Sequence, residues 1–357
     1  MTRYVYLGTY TKSNSEASHR REGIYIFRMD TSRGTLNPAS VAIDVYNPSF
    51  LDLHPSHLFL YSVNELEKGG ASAFAVNQRT GALTFLNRQP TYGTAPCYLT
   101  LDPTGKWLLI ANYGDGKLTV LPILKDGGLG PPTDLVQHYG KGVNKSRQET
   151  AHAHSVLFDP SGSFVLAADL GIDRIMVYRL DTQRGRLIPH DPPGASAKPG
   201  SGPRHMVFHP KGSFLYVANE LDSTVSVYAW NSDKGVLYPI QILTTLPEYT
   251  SQSNFVADIH LTSSGKYLYV SNRGHDSLAG FFVNEKRGYL TPFGHYSTQG
   301  KWPRNFAIDL MGIFLLVANQ NSNSVVTFRI KQETGQLIST GQITTIPSPV
   351  CVKMVDL

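Results

Sequence analysis

The sequence predicts an all-β chain: a seven-bladed β-propeller, four antiparallel strands per blade, with the ring closed by the N- and C-terminal strands in one blade. Three observations predict it. A hydrophobic phrase recurs seven times, a Gly-x-Leu turn recurs at matching positions, and each chain end supplies only part of a unit. Several short β-segments repeated at a period of about 50 residues are the signature of propeller blades.

The phrase opens on an aromatic residue, continues through branched or aromatic side chains and usually ends polar. Its copies run from Tyr4 to Tyr10, Phe59 to Glu65, Trp107 to Tyr113, Phe164 to Leu170, Phe214 to Glu220, Tyr267 to Arg273 and Phe314 to Gln320. Each has the length and composition of a strand. Gly105, Gly162, Gly212, Gly265 and Gly312 stand just before five copies, where a tight hairpin calls for glycine. The phrase is therefore the second strand of its unit.

A third apolar segment follows, as in Gly23 to Met29, Arg174 to Leu180, Thr224 to Trp230 and Val325 to Ile330. A polar turn then ends in Gly-x-Leu at Gly34, Gly81, Gly127, Gly185, Gly235, Gly288 and Gly335, and a fourth strand comes after it. The next unit opens near Pro48, Pro96, His154, Pro203, Asp258, Pro303 or Pro349. Tyr4 begins at a second strand, while Pro349 to Leu357 supplies a first strand with nothing behind it. Pairing the two completes the seventh blade and removes both open sheet edges. No Pro/Gly/Ser-rich linker breaks the period, so residues 1–357 read as a single domain.

Composition narrows the function. With 41% hydrophobic and 17% charged residues, the chain has ample material for a core and no signature of disorder. Its 32 Lys and Arg exceed its 27 Asp and Glu only slightly and are scattered, which argues against a nucleic-acid partner. No signal-peptide core and no apolar run of about 18 residues is present, so the expectation is a cytoplasmic protein without a membrane partner. Cys97 and Cys351 have no partner at metal-ligand spacing and read as buried free thiols. Gly-x-Ser-x-Gly, Walker, dinucleotide and Cys-x-x-Cys motifs are missing, so no cofactor is expected.

In a blade the first strand leaves one face of the disc and the second returns to it. Starts of first strands and ends of second strands therefore meet at the mouth of the central channel. The starts offer His152, His154, Arg204, His205, Asp258, His260, Arg304 and Asn305; the ends offer Glu65, Tyr113, Asp169, Glu220, Arg273 and Gln320. Two arginines, an acid and a histidine from this set suffice for an anion-binding hydrolytic site.

Structural readings stand beside the functional ones. Glu220 and Arg204 also suit an ion pair closing the channel, His260 a satisfied core histidine, and His54, His205 and His209 turn positions. Asp258 and Arg304 suit loop hydrogen bonding, and Tyr113, Asp169 and Gln320 strand capping. His138, His275 and His295 are expected on loops. His152 and His154, two apart on one strand, face the same way as a metal pair would, but spacing fixes no third ligand.

Gly202-Pro203-Arg204-His205 with Phe208-His209-Pro210 and Ala257-Asp258-Ile259-His260 form one set of motifs. Arg147-Gln148-Glu149, His152-Ala153-His154-Ser155, Val217-Ala218-Asn219-Glu220-Leu221, Ser271-Asn272-Arg273 and Pro303-Arg304 form another. In this order, over nearly the whole chain, the pattern resembles the seven-bladed propeller lactonases, which include bacterial 6-phosphogluconolactonases and fungal carboxymuconate cyclases. The resemblance implies metal-independent hydrolysis of 6-phosphoglucono-δ-lactone, or a related sugar lactone, to the aldonate in the pentose phosphate pathway.

It also implies His154, Arg204, Glu220 and Arg273 as the catalytic set. A histidine exchanges protons near neutral pH, so His154 is the expected general base. Arg204 and Arg273 would hold anionic groups and the developing oxyanion, and Glu220 would orient an arginine or assist proton transfer. His152, Asp258, His260, Arg304 and Gln320 are the expected substrate-binding residues. The expected partner is a small anionic lactone, with the protein a monomer or weak homo-oligomer. One departure is the insertion from His138 to Thr150, which lengthens the step between units and shapes or lids the pocket. Two rival functions follow from fold-level reasoning: a lactonising carboxymuconate cyclase and a non-catalytic interaction scaffold.

Overall fold

The computed structural model describes residues 2–11 and 22–357. They form seven four-stranded antiparallel sheets arranged as the blades of a propeller. The innermost strands are Leu51–Leu53, Pro96–Leu101, Ala153–Phe158, Pro203–Phe208, Phe255–Leu261, Pro303–Ile308 and Pro349–Asp356. Each packs on the next, and the last packs on the first, so the ring is closed. In the closing blade Pro349–Asp356 pairs with Arg3–Thr9, which in turn pairs with Glu22–Met29. Arg3 fastens this junction through Asp356 at 2.7 Å and Asp309 of the neighbouring blade at 2.5 Å.

The recurring phrase is the second strand in every blade, and it is almost wholly buried: Tyr4, Tyr6, Tyr61, Tyr216 and Tyr269 are all 1% exposed or less. Its opening aromatic and the next blade's Gly-x-Leu turn explain each other. Phe59 lies against Gly127 and Trp107 against Gly185, each filling the space a Cβ would need. Two residues further on, Tyr6 and Tyr61 donate their hydroxyls across the blade boundary to the carbonyls of Gly81 and Gly127, at 2.9 and 3.0 Å. A large ring thus buries its apolar body between sheets while its polar tip is satisfied. His54 stitches blades in a similar way, its Nε2 3.1 Å from the Gly105 carbonyl.

Of the histidines expected on loops, His138 and His275 lie there; His138 follows the strand Asp134–Gln137 and is buried against Asp169, 2.7 Å away, with the Tyr178 hydroxyl at 2.9 Å from its other ring nitrogen. His295 lies instead in the strand Leu290–Ser297, its Nε2 3.1 Å from the Thr245 carbonyl, a link that repeat spacing does not mark. No helix among the described residues is long and apolar enough to cross a membrane.

Candidate functional site

The innermost strands begin irregularly, and this irregularity builds the site. Their register with the second strand slips between Pro96 and Tyr98, Ala153 and Ser155, Pro203 and Met206, and Pro303 and Asn305. A bulged residue is freed from the ladder and can be aimed away from it. The residues in these bulges are Cys97, His154, Arg204 with His205, and Arg304, and all turn into the central channel. Proline at the strand start suits the bulge because it has no N–H to give the ladder.

At the mouth where first strands begin, a cavity of about 160 Å³ is lined by Glu65, Cys97, Tyr113, Arg147, His154, Glu220, Arg273 and Arg304. His154 is buried, and its Nδ1 lies 3.7 Å from the Cys97 thiol. Burial, together with the charges of Arg204, His205 and Arg304, holds the His154 pKa well below the usual histidine value. Its imidazole is consequently neutral near pH 7, as a general base must be.

Glu220 is the electrostatic hub. Arg147 Nη2 donates to its Oε1 at 2.6 Å, Arg204 Nε to its Oε2 at 3.0 Å, and Arg273 Nη2 lies 2.8 Å from Oε2. Burial opposes ionisation of this carboxyl, yet Arg273, Arg204 and Arg147 hold its pKa down at about 2. It is a fixed anion, suited to orienting arginines and unsuited to exchanging protons. Arg304 differs: its guanidinium rests over the Tyr10 ring at 5.3 Å and, among the described residues, no carboxylate or carbonyl takes its N–H groups. A cavity-lining guanidinium with free donors is ready for an anion.

A family model for the seven-bladed β-propeller lactonases matches residues 4–354. The chain belongs to that family. It is 38% identical to the 6-phosphogluconolactonase of Bacillus subtilis over 81% of this chain and 80% of that protein. It is 37% identical to the 6-phosphogluconolactonase of Formosa agariphila, over 76% of this chain and 78% of that one. Among solved structures, the periplasmic gluconolactonase of Pseudomonas aeruginosa superposes with a TM-score of 0.92 at 32% identity, over 100% of this chain and 99% of that one. As a member of the lactonase family the chain is a carboxylic ester hydrolase.

Of the residues proposed from sequence for the lactonase site, the structure brings His154, Glu220, Arg273 and Arg304 to the cavity wall. Arg204 stands behind that wall. It is 2% exposed, tied to Glu220 and to the Ala257 carbonyl, because its bulge carries two residues and the side chain turns inward beneath Glu220. His152 lies beside the cavity, stacked on Tyr113 with ring centres 4.6 Å apart. Its Nδ1 is 2.8 Å from the Tyr113 carbonyl and its Nε2 3.2 Å from Glu149, so both nitrogens are occupied. Among the described residues no group of three or more His, Cys, Asp or Glu is placed to hold a metal ion.

Asp258, His260 and Gln320 are not brought to the cavity. Asp258 lies deeper in the channel, where its carboxylate joins His205 at 2.7 Å and His260 at 2.9 Å. His260 comes still later on its strand and faces the opposite mouth, with Asp258, Lys353 and Phe208 around a separate cavity. A strand advances about 3.3 Å per residue, so a few positions carry a side chain from one face of the disc toward the other. Gln320 opens a short 3-10 turn, its backbone N–H donating to the Trp302 carbonyl at 3.0 Å, and it is not among the residues that line the cavity.

Cys97 and Arg147 also line the cavity, although neither is among the site residues expected from the sequence. Cys97 follows Pro96 as Arg204 follows Pro203 and Arg304 follows Pro303, so aligning the repeats marks the position. Arg147 comes from the insertion, which has no counterpart in other blades, so no repeat register could place it.

Proposed function

We propose that this lactonase hydrolyses 6-phosphoglucono-δ-lactone to 6-phosphogluconate without a metal ion, as the second step of the oxidative pentose phosphate route in the cytoplasm. The observation that carries this reading is a neutral, buried His154 set among guanidinium groups that outnumber the nearby carboxylates. Arg147, Arg204, Arg273 and Arg304 stand against Glu65 and Glu220, leaving two positive charges in excess. A phosphate monoester carries about −1.5 to −2 charges at neutral pH, which such an excess complements.

His154 takes a proton from a water as its oxygen bonds to the lactone carbonyl carbon. The carbonyl electron pair moves to oxygen, and the resulting oxyanion is stabilised by the Arg304 guanidinium. When the carbonyl re-forms, the ring C–O bond breaks, and the imidazolium of His154 returns its proton to the departing alkoxide. Arg273, clamped between Glu220 and the Val256 carbonyl, holds the charge pattern of the wall fixed through these steps.

The test is hydrolysis of freshly generated 6-phosphoglucono-δ-lactone above its spontaneous rate, with EDTA present. His154→Ala and Arg304→Gln should each lower kcat by about 10²-fold or more, the usual scale for losing a general base or an oxyanion donor. No acceleration by the wild type, or wild-type rates in both folded variants, would reject the reading.

A further inference from the structure

We propose that Arg147 selects phosphorylated lactones over plain ones by binding the substrate phosphate at the rim of the cavity; this rests on the function proposed above. Relatives in the family carry names that differ by a phosphate, 6-phosphogluconolactonase in Bacillus subtilis and gluconolactonase in Pseudomonas aeruginosa. The reaction centre, with His154 and Arg304 beside each other, serves either substrate. Discrimination therefore needs a group away from that centre.

Cavity size separates the two regions. At about 160 Å³ the cavity is roughly half the lower bound of ordinary small-molecule pockets, about 300 Å³. A single sugar ring fills it, and a substituent on that ring must leave through the open side. Arg147 guards that side: its side chain is 33% exposed, whereas those of Arg204 and Arg273 are 2% and 6% exposed.

Among the described residues only one of its three nitrogens is engaged. Nη2 is spent on Glu220 at 2.6 Å and the Tyr113 hydroxyl at 3.3 Å. Among the described residues Nε and Nη1 have no acceptor; Cδ lies between them, so they share no edge of the fork and each offers its own N–H, beside the guanidinium charge, to a phosphate oxygen. Glu220 and Tyr113 fix the guanidinium in place, and the Phe255 ring, 5.6 Å from its central carbon, supports its face.

The insertion that carries Arg147 is anchored rather than loose. Gln148 is fully buried and donates its side-chain N–H to the Leu170 carbonyl at 2.8 Å, while its Oε1 accepts the Asn144 N–H at 3.0 Å. The Arg147 and Gln148 backbone N–H groups both turn back to the Asn144 carbonyl. A guanidinium pre-placed in this way loses little freedom when it binds, which favours affinity.

The experiment compares kcat/KM for 6-phosphoglucono-δ-lactone and for unphosphorylated glucono-δ-lactone in the wild type, Arg147→Gln and Arg147→Lys, with folding checked by thermal melting. Arg147→Gln should lower the value for the phosphorylated lactone, chiefly through KM, by at least about 10-fold more than the value for the plain lactone. Arg147→Lys, which keeps the charge but not the fork, should recover part of this difference. Product inhibition gives a second readout, with the inhibition constant of 6-phosphogluconate rising in Arg147→Gln by a larger factor than that of gluconate. Equal losses on both substrates would mean that Arg147 only positions Glu220 and Tyr113, and would overturn the proposal. A wild type that acts on the plain lactone but not on the phosphorylated one overturns the phosphate reading, and one that acts on neither rejects the lactonase function; the wild-type arm alone distinguishes these from a failure of Arg147.

Discussion

Glu220 accepts the Nε–H of Arg204 at 3.0 Å with both side chains at most 5% exposed, so each charge depends on the other for its place in the core. Removing one partner of such a pair strands the other without solvent, at a typical cost of about 3–5 kcal/mol. Glu220→Gln should therefore lower Tm clearly as well as kcat/KM, because Arg147, Arg204 and Arg273 lose one shared anion. Arg204→Lys should not restore the wild type, since a single ammonium cannot serve Glu220 and the Ala257 carbonyl as the guanidinium does. A Glu220→Gln protein that melts with the wild type would show that the hub is not structural.

The depressed pKa of His154 sets the acid limb of the rate profile. A general base works in its deprotonated form, so a pKa held well below the usual histidine value by burial and by Arg204, His205 and Arg304 keeps the base active at lower pH. The kcat/KM profile should stay flat from neutrality down through about pH 6.5, the ordinary histidine pKa, and fall only below it. Arg304→Gln removes one of the nearby positive charges and should move that limb upward. An acid limb at or above pH 6.5 in the wild type, measured within the stable range of the protein, would exclude His154 in this role.

Cys97 lies beside His154, and the pair superficially resembles a nucleophile with its base. The thiol is in the wrong state for that chemistry: burial pushes its pKa up, the Glu65 charge adds to the effect, and it lies 3.4 Å from the His154 carbonyl. A thiol must ionise to attack. Cys97→Ala should keep kcat within about 5-fold of the wild type, and iodoacetamide should leave the native enzyme active. Complete loss of activity in a folded Cys97→Ala protein would instead indicate a covalent intermediate.

The fold was legible because its packing repeats. Phe59, Trp107 and Phe214 recur where each blade must meet the Gly-x-Leu turn of the next, so one contact is written seven times in the sequence. The site was only partly legible. His154 and Arg304 could be found from strand starts, but whether a residue enters the cavity depends on the bulge: Arg304 is freed singly and faces inward, while Arg204 shares its bulge with His205 and turns beneath Glu220. Depth along the strand, which separates Asp258 and His260 from the reaction centre, is likewise invisible to a motif. Arg147 lies outside the repeat altogether.

The interlock between Trp107 and Gly185 gives the sharpest test of the architecture. Gly185 has φ of 64°, and a Cβ there would overlap the Trp107 ring, which is 9% exposed and donates its indole N–H to the Thr182 carbonyl at 3.2 Å. Gly185→Ala adds two costs: about 1–2 kcal/mol for a left-handed backbone and about 1–3 kcal/mol for overpacking a core that cannot give way. Gly341 provides the control, with φ of 74° and nothing within 4 Å of its would-be Cβ. Gly341→Ala carries the backbone cost alone. Equilibrium denaturation should therefore find Gly185→Ala less stable than Gly341→Ala by about 1–3 kcal/mol, and Trp107→Leu in the Gly185→Ala background should recover part of the difference by making room. Equal destabilisation of the two alanine variants would mean that backbone conformation, rather than the ring packed across the blade boundary, is what requires glycine in this turn.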